Sequence, residues 1–501
     1  MRKAGTLSKI LLALMLALAL LITLAGASLA DGPSPVSSDE DLTNGRWAEL
    51  AARYENPYAS GAPVSFETPP SDELASWWES LDDETLTRLI EWSLLNNRDL
   101  LSARSKVRES RAALGMSRAA LLPWLDSTDS WTKNDTSENS ASQGQKLEIS
   151  HLGIDASWEI DIFGGRHQDV AAGTAALEAD YAALWAAWVS LSSEVALDYL
   201  TLRTLQQRLA VAEENLALQV ETLDLVRSKH DAGLVDSLAL NQARYAIEQT
   251  RSAIPPIRVS IETTMNALSI LTGTIPGSLE ETLGARKPLP KLQAERLVGI
   301  PANSLRKRPD ILASERRLAA QLARIKSAEA DRLPRFYLSG SIGLESLTGG
   351  SLFSGDSFGF SFGPRITLPI FHGRAIRNNI KVQGERAEQL LAAYEGTVLA
   401  AAAEVRNALA ASAQEIERNA SLRAGADAAK AALEVARDKY KSGLTDFSNV
   451  ITSQQALLSL EEAVAISDGQ MTSNVIRVYK AMGGGWAPMV QEILGEARTE
   501  R

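Results

Sequence analysis

One stretch of this 501-residue chain has almost nothing in it to stop a helix, and that limits the possible folds more than anything else. Between Gln168 and Lys229 there is no proline, and Gly173 is the only glycine. Leu202, Leu205, Leu209, Ala212, Leu216, Gln219, Leu223 and Val226 are spaced alternately three and four apart, the pattern of a coiled-coil seam. At about 1.5 Å per residue, roughly 60 residues span on the order of 90 Å. His230-Asp231-Ala232-Gly233-Leu234 interrupts the run, with glycine free to take the left-handed backbone that closes a helix. Asp236 or Ser237 then caps a returning helix that runs to about Leu271. A globular core cannot cover helices of this length. They must lie side by side in a bundle, a solenoid or a tube.

The plan returns once. Phe163-Gly164-Gly165-Arg166 matches Phe371-His372-Gly373-Arg374 (371 − 163 = 208), and Gly233-Leu234 matches Gly443-Leu444 (443 − 233 = 210). Leu122-Pro123 matches Leu333-Pro334 and Asp99 matches Asp310, both at 211 (333 − 122; 310 − 99). Four landmarks at nearly constant offset predict two repeats, over 76–290 and 291–485. Each carries helices, a β-hairpin (about 124–160, then about 335–370) and a helical hairpin (about 168–272, then about 375–482). An extended N-terminal arm, 31–75, is rich in Pro, Ser and Asp, and a short tail covers 486–501.

Residues 1–30 carry Arg2, Lys3 and Lys9, no acids, and an apolar run from Ile10 to Ala25, which predicts a secretory signal peptide. Cleavage patterns of small residues end at Ala27 and Ala30. Leu24-Ala25-Gly26 would suit a lipoprotein signal, but position 27 is alanine. The chain has no cysteine at all, so it can form neither a diacyl anchor nor a disulfide. Removing three basic residues leaves 48 Lys+Arg (51 − 3) against 62 Asp+Glu, a balance of −14, which argues against nucleic acid as a partner. No later segment has the roughly 20 apolar residues of a membrane helix, so any span must be made of strands.

Strand signals lie between the helices. Trp124 to Asn134 and Lys146 to Ile160 flank one polar loop; Arg335 to Leu347 and Ser357 to Ile370 flank a Gly/Ser-rich one. Phe358, Phe360 and Phe362 alternate with small or polar residues, as do Phe336, Leu338, Ile342 and Leu344. That pattern fits a half-buried sheet or a porin-like wall equally. Four strands cannot close a barrel around a lumen, and a lipid-exposed sheet cannot leave its edges unpaired. Three chains would supply 12 strands (3 × 4) and 12 helical segments continuing as a tube, although physics alone permits other copy numbers.

The chain resembles the TolC-type outer-membrane efflux channels, in the branch that works with resistance-nodulation-division pumps. The resemblance is carried by Trp77-Trp78, Asn96-Asn97-Arg98-Asp99-Leu100 and Trp158-Glu159-Ile160-Asp161-Ile162-Phe163-Gly164. It continues through Ile254-Pro255-Pro256, Arg306-Lys307-Arg308-Pro309-Asp310-Ile311 and Glu315-Arg316-Arg317-Leu318. The turns Ala232-Gly233-Leu234 and Tyr440-Lys441-Ser442-Gly443-Leu444 complete it. It implies a mainly α fold with membrane β: a homotrimer whose 12-stranded β-barrel in outer-membrane lipid continues as a 12-helix periplasmic α-barrel. It also implies a passive exit duct for drugs or other small molecules, fed by an inner-membrane resistance-nodulation-division pump through a periplasmic adaptor protein. Close relatives usually carry a lipidated N-terminal cysteine; without one, membrane residence rests on the barrel alone.

The family's Gly-Leu turns imply adaptor docking at Gly233, Leu234, Gly443 and Leu444. Family members often close the tunnel with aspartates after the second turn. Here those positions are the uncharged Asn449 and Thr452, leaving Asp446, Asp231 and Asp236 as the acids of a periplasmic gate. The competing role for these acids is helix capping. His230 reads as a solvated helix-end residue, with a proton switch as the alternative.

Pro255-Pro256 should break or kink the returning helix, and Gly469, near the equivalent place in the second repeat, should weaken its partner. Arg308-Pro309-Asp310 reads as a turn and cap, and Trp77-Trp78 as packing anchors. Four scattered histidines have no metal-ligand spacing, and no glycine-rich phosphate loop follows a strand, so neither a cofactor nor an enzyme is expected. Two alternatives stand beside the efflux duct. One is a type I secretion outlet for proteins; the other is a trimeric coiled-coil adhesin or stalk, which would not need paired strand hairpins.

Overall fold

The computed structural model describes residues 76–290 and 308–485, except 140, 142, 143, 145 and 348. The expected signal peptide, N-terminal arm and C-terminal tail lie outside the described residues. The chain divides into two compact units. Described residues of one are 108–179 and 314–393, and of the other 76–107, 180–290, 308–313 and 394–485.

The first unit holds a four-stranded antiparallel sheet in chain order: β1 (Trp124–Asp135), β2 (Lys146–Ile160), β3 (Arg335–Ser346) and β4 (Phe358–Thr367). Both edges, β1 and β4, are unpaired among the described residues. The register sorts the side chains by face. Ile154 pairs with Ile342 and Ile342 with Phe360, while Ile160 pairs with Phe336 and Phe336 with Ile366. Directly opposed residues share a face, so these side chains, with Leu338, Leu344 and Phe362, form one apolar surface across β2 to β4. The other face carries Asp155, Ser341 and Ser361 in one row and Glu159, Tyr337 and Arg365 in another. Only β1 mixes the pattern, placing Asp129 between Leu125 and Trp131 on the apolar side. That surface is not covered: Phe360, Phe362 and Ile366 are 63%, 68% and 62% exposed.

The helices among the described residues are α1 (Glu84–Asn96), α2 (Arg98–Ala119), α3 (Gly165–Asp231), α4 (Ser237–Leu271), the short α5 (Glu280–Leu283), α6 (Pro309–Ala330), α7 (Ala375–Lys441) and α8 (Phe447–Ala481). A 3-10 turn, Trp77–Leu81, precedes α1. α3 and α7 have 67 residues each and α4 and α8 have 35, with both pairs starting 210 residues apart (375 − 165; 447 − 237). Asp83 caps α1, its carboxylate accepting from the backbone N–H groups of Thr85 and Leu86. Between α1 and α2 the helix breaks at Asn97, which leaves the helical region and accepts from the Leu100 N–H. Its amide also donates to the last carbonyl of α4, at Leu271.

In the helical unit Trp77 is fully buried and stacks on Tyr479 at 5.8 Å, so the tryptophan pair is a packing anchor. Arg308 donates to Asp310 and Glu404 and to the Ala481 carbonyl ending α8. Proline at the first position of α6 costs no hydrogen bond. Of the break or kink expected at Pro255-Pro256, the break does not occur. Both lie inside an uninterrupted α4, and the Pro256 carbonyl accepts from the Ser260 hydroxyl. Ile254 and Ile257, flanking them, are buried against Ala212, and this packing holds the helix through the two missing donors. Gly469 likewise lies inside an unbroken α8. A Cβ there would sit 2.0 Å from the Thr204 hydroxyl, so glycine is what lets α8 approach α3.

Candidate functional site at the helical turns

The two turns close alike. The Gly233 N–H donates to the His230 carbonyl (2.8 Å) and the Leu234 N–H to the Lys229 carbonyl (2.9 Å). At the second turn Gly443 donates to Tyr440 (3.1 Å) and Leu444 to Lys439 (2.8 Å). This is the Schellman closure, and both glycines sit at φ 72°, where an L side chain is strained. No atom crowds either glycine, so the backbone angle and not lack of space demands it. Leu234 and Leu444 stand out as the apolar tips, 72% and 76% exposed.

The first residues of the returning helices differ. Asp236 accepts from the backbone N–H groups of Leu238 and Ala239 at 3.1 and 3.2 Å, which makes it the N-cap of α4. Asp446 occupies the same place before α8, but its side chain caps nothing. Asn449 donates to Thr445, and the Thr452 hydroxyl donates to the Ser448 carbonyl, so both spend their polar groups within their own turn. Asp231 lies 3.5 Å from the ring of its neighbour His230, both on the surface.

Between the turns the two hairpins share an apolar seam. Val226, Ala239 and Ala243 of the first pack with Leu433, Tyr440, Phe447, Val450, Ile451 and Leu457 of the second. Each large side chain buried there contributes roughly 1.5–3 kcal/mol. Lys229 reaches across this seam, its ammonium donating to the carbonyls of Tyr440 and Lys441 at the end of α7 and lying 4.4 Å from the Tyr440 ring centre. A cation there answers the negative end of a long helix. The Tyr440 hydroxyl is buried without a partner among the described residues, and burial pushes its pKa up. Sequence reading missed Lys229 because its partners lie 211 and 212 residues away. The only available signal was a lysine in the last turn of a helix that needs a cation.

The family profile of outer membrane efflux proteins matches residues 89–274 and 300–484, both halves of the chain. The chain belongs to the outer membrane efflux protein family. It is 31% identical to outer membrane protein OprJ of Pseudomonas aeruginosa, over 87% of this chain and 93% of that one. It is 30% identical to the solvent efflux pump outer membrane protein SrpC of Pseudomonas putida, over 82% and 87%. Among solved structures, the outer-membrane channel OprN superposes with a TM-score of 0.82 at 31% identity, covering 86% of this chain and 96% of that one. As a member of the outer membrane efflux proteins, this chain is an outer-membrane channel of efflux pumps. No described helix is long and apolar enough to cross a membrane. Among the described residues no group of three or more His, Asp or Glu is placed to hold a metal ion.

Proposed function

We propose that three copies of the chain form one duct, whose wall in the outer membrane is a 12-stranded barrel (3 × 4 strands). The sheet is the observation that carries this reading: it has one uncovered apolar face, one polar face and two unpaired edges. Unpaired edges are not tolerated in lipid, and joining β4 of one copy to β1 of the next removes all of them. The polar face then lines a wet lumen and the apolar face meets lipid. The two repeats, 76–290 and 291–485, supply the helical pairs of a periplasmic tube.

The helical turns take an adaptor protein, with Gly233 and Gly443 holding the reversal and Leu234 and Leu444 presenting apolar contacts. The gate is the seam beside them, with Asp446, Asn449, Thr452, Asp231 and Asp236 around its mouth and Lys229 as the strap between hairpins. An inner-membrane pump drives solutes through the adaptor into the duct. SrpC is named for solvents, and small apolar molecules are the cargo class we assign here. Mass measurement in detergent with single-channel recording in planar bilayers tests the reading. A trimer that conducts is expected; a folded monomer, or a trimer that passes no current, overturns it.

A further inference from the structure

The two turns that join sheet to long helix share a motif but have opposite electrostatics. In the first, Phe163-Gly164-Gly165-Arg166, the guanidinium of Arg166 donates to Glu159 at 2.9 Å and lies 3.5 Å from Asp169. Asp161 accepts from the His167 backbone N–H and lies 2.6 Å from the His167 ring. Arginine and histidine there both face a carboxylate, and Phe163 packs against Phe336 at 6.2 Å.

The second turn, Phe371-His372-Gly373-Arg374, has lost every one of those acids. At the offset of 208 (374 − 166), Glu159, Asp161 and Asp169 become Thr367, Pro369 and Arg377. From Ser357 to Gly384 the chain has no Asp or Glu, while it holds Arg365, His372, Arg374, Arg377 and Lys381. Arg374 and Arg377 are exposed, and neither guanidinium has a hydrogen bond or ion pair among the described residues. Immediately before them Ile370 is 90% and Phe371 86% exposed.

Single exposed apolar residues are ordinary. Two in sequence, following the uncovered apolar face of β4 and meeting unpaired cations, form a patch. Water suits the cations and not the apolar pair. A lipid boundary suits both, with acyl chains for the one and headgroup phosphates for the other. We propose that Ile370–Arg377 binds the anionic headgroup of a phospholipid, with Ile370 and Phe371 in the acyl boundary and Arg374 and Arg377 on the phosphate. This rests on the reading of the apolar sheet face as the lipid-facing wall. It gives the channel a fixed depth marker in the membrane.

The test uses the full-length protein in vesicles of phosphatidylethanolamine with and without phosphatidylglycerol. The chain has no cysteine, so Phe362→Cys and Phe371→Cys each take a single fluorophore, read by nitroxide-lipid quenching. Native mass spectrometry counts retained phosphatidylglycerol in the wild type and in Arg374→Gln/Arg377→Gln. The expected result is quenching at both positions and a loss of phosphatidylglycerol affinity of about fivefold per arginine, roughly thirtyfold for the pair. No quenching at position 362 overturns the lipid-facing wall and the inference with it. Quenching at 362 but not at 371 means another copy covers the turn, and quenching at both with unchanged phosphatidylglycerol retention means the arginines bind no headgroup. Either result overturns the inference alone.

Discussion

The first and second helical turns have the same backbone, and they differ in what their polar side chains are free to do. Both reverse through a glycine at φ 72° and both expose a leucine. At the first turn Asp236 is committed to capping α4; at the second, Asp446 holds the same position with no backbone partner. Across the seam the first turn gives a cation, Lys229, and the second receives it on its carbonyls. Duplicated geometry has therefore not produced duplicated chemistry. The first turn is the self-contained one, and the second depends on its neighbour and keeps a spare carboxylate.

The largest expected effect removes what the turns share. Leu234→Asp with Leu444→Asp should abolish efflux, read as drug sensitivity equal to that of a strain lacking the channel, while trimer assembly is unchanged. Each single change should leave intermediate resistance, because the intact turn still docks. Wild-type resistance in the double variant would refute docking at these turns.

Next comes the contact that joins them. The shared seam buries Phe447, Val450, Ile451 and Leu457 at roughly 1.5–3 kcal/mol each, so it holds the fold without Lys229. The strap's hydrogen bonds from a charged donor are worth about 1.5–3 kcal/mol together. Lys229→Met should thus leave the trimer folded but loosen its closed end, raising the entry of large antibiotics several-fold. Unchanged entry would mean the strap is structural only.

That strap shows where sequence reading ran out. Strand β2 is legible end to end as Lys146–Ile160, because alternation and flanking turn residues are local signals. The Schellman glycines and the Asn97 break are legible for the same reason. At Pro255-Pro256 the local rule is right about the missing donors and blind to the packing of Ile254 and Ile257, which carries the helix through them without a break. The reason for Gly469 is equally out of local reach, since it is Thr204 on another helix. The roles of Asp236 and Asp446 could not be separated in advance. Both stand three residues after the turn glycine, and only side-chain geometry tells them apart.

Their difference gives the third test. Asp446→Asn should lower cation preference in single-channel recordings at low salt, an effect that salt screens. Asp236→Ala should leave selectivity almost unchanged and cost about 1 kcal/mol of helix stability through the lost cap. If the two variants exchange these phenotypes, the assignment of free and committed carboxylates is wrong.

The smallest effect separates Tyr440 from its counterpart one repeat earlier, His230 (440 − 230 = 210). Burial raises the Tyr440 pKa, because the phenolate would lose its solvation in the seam and the hydroxyl has no partner to offset that. A group whose pKa is higher folded than unfolded contributes stability that is intact below the unfolded value and fades as pH rises through the folded one. An unfolded tyrosine ionises near 10, so the wild-type tip should hold its stability up to about that pH and lose it above. Tyr440→Phe removes the titrating group together with its unsatisfied oxygen. It should be neutral or slightly stabilising at pH 7, and its stability should fall less steeply in alkali. Hydrogen exchange at the amides of 433–447, followed from neutral to alkaline pH, reads this out at the seam itself. Equal alkaline slopes in the two proteins would place the Tyr440 hydroxyl in water.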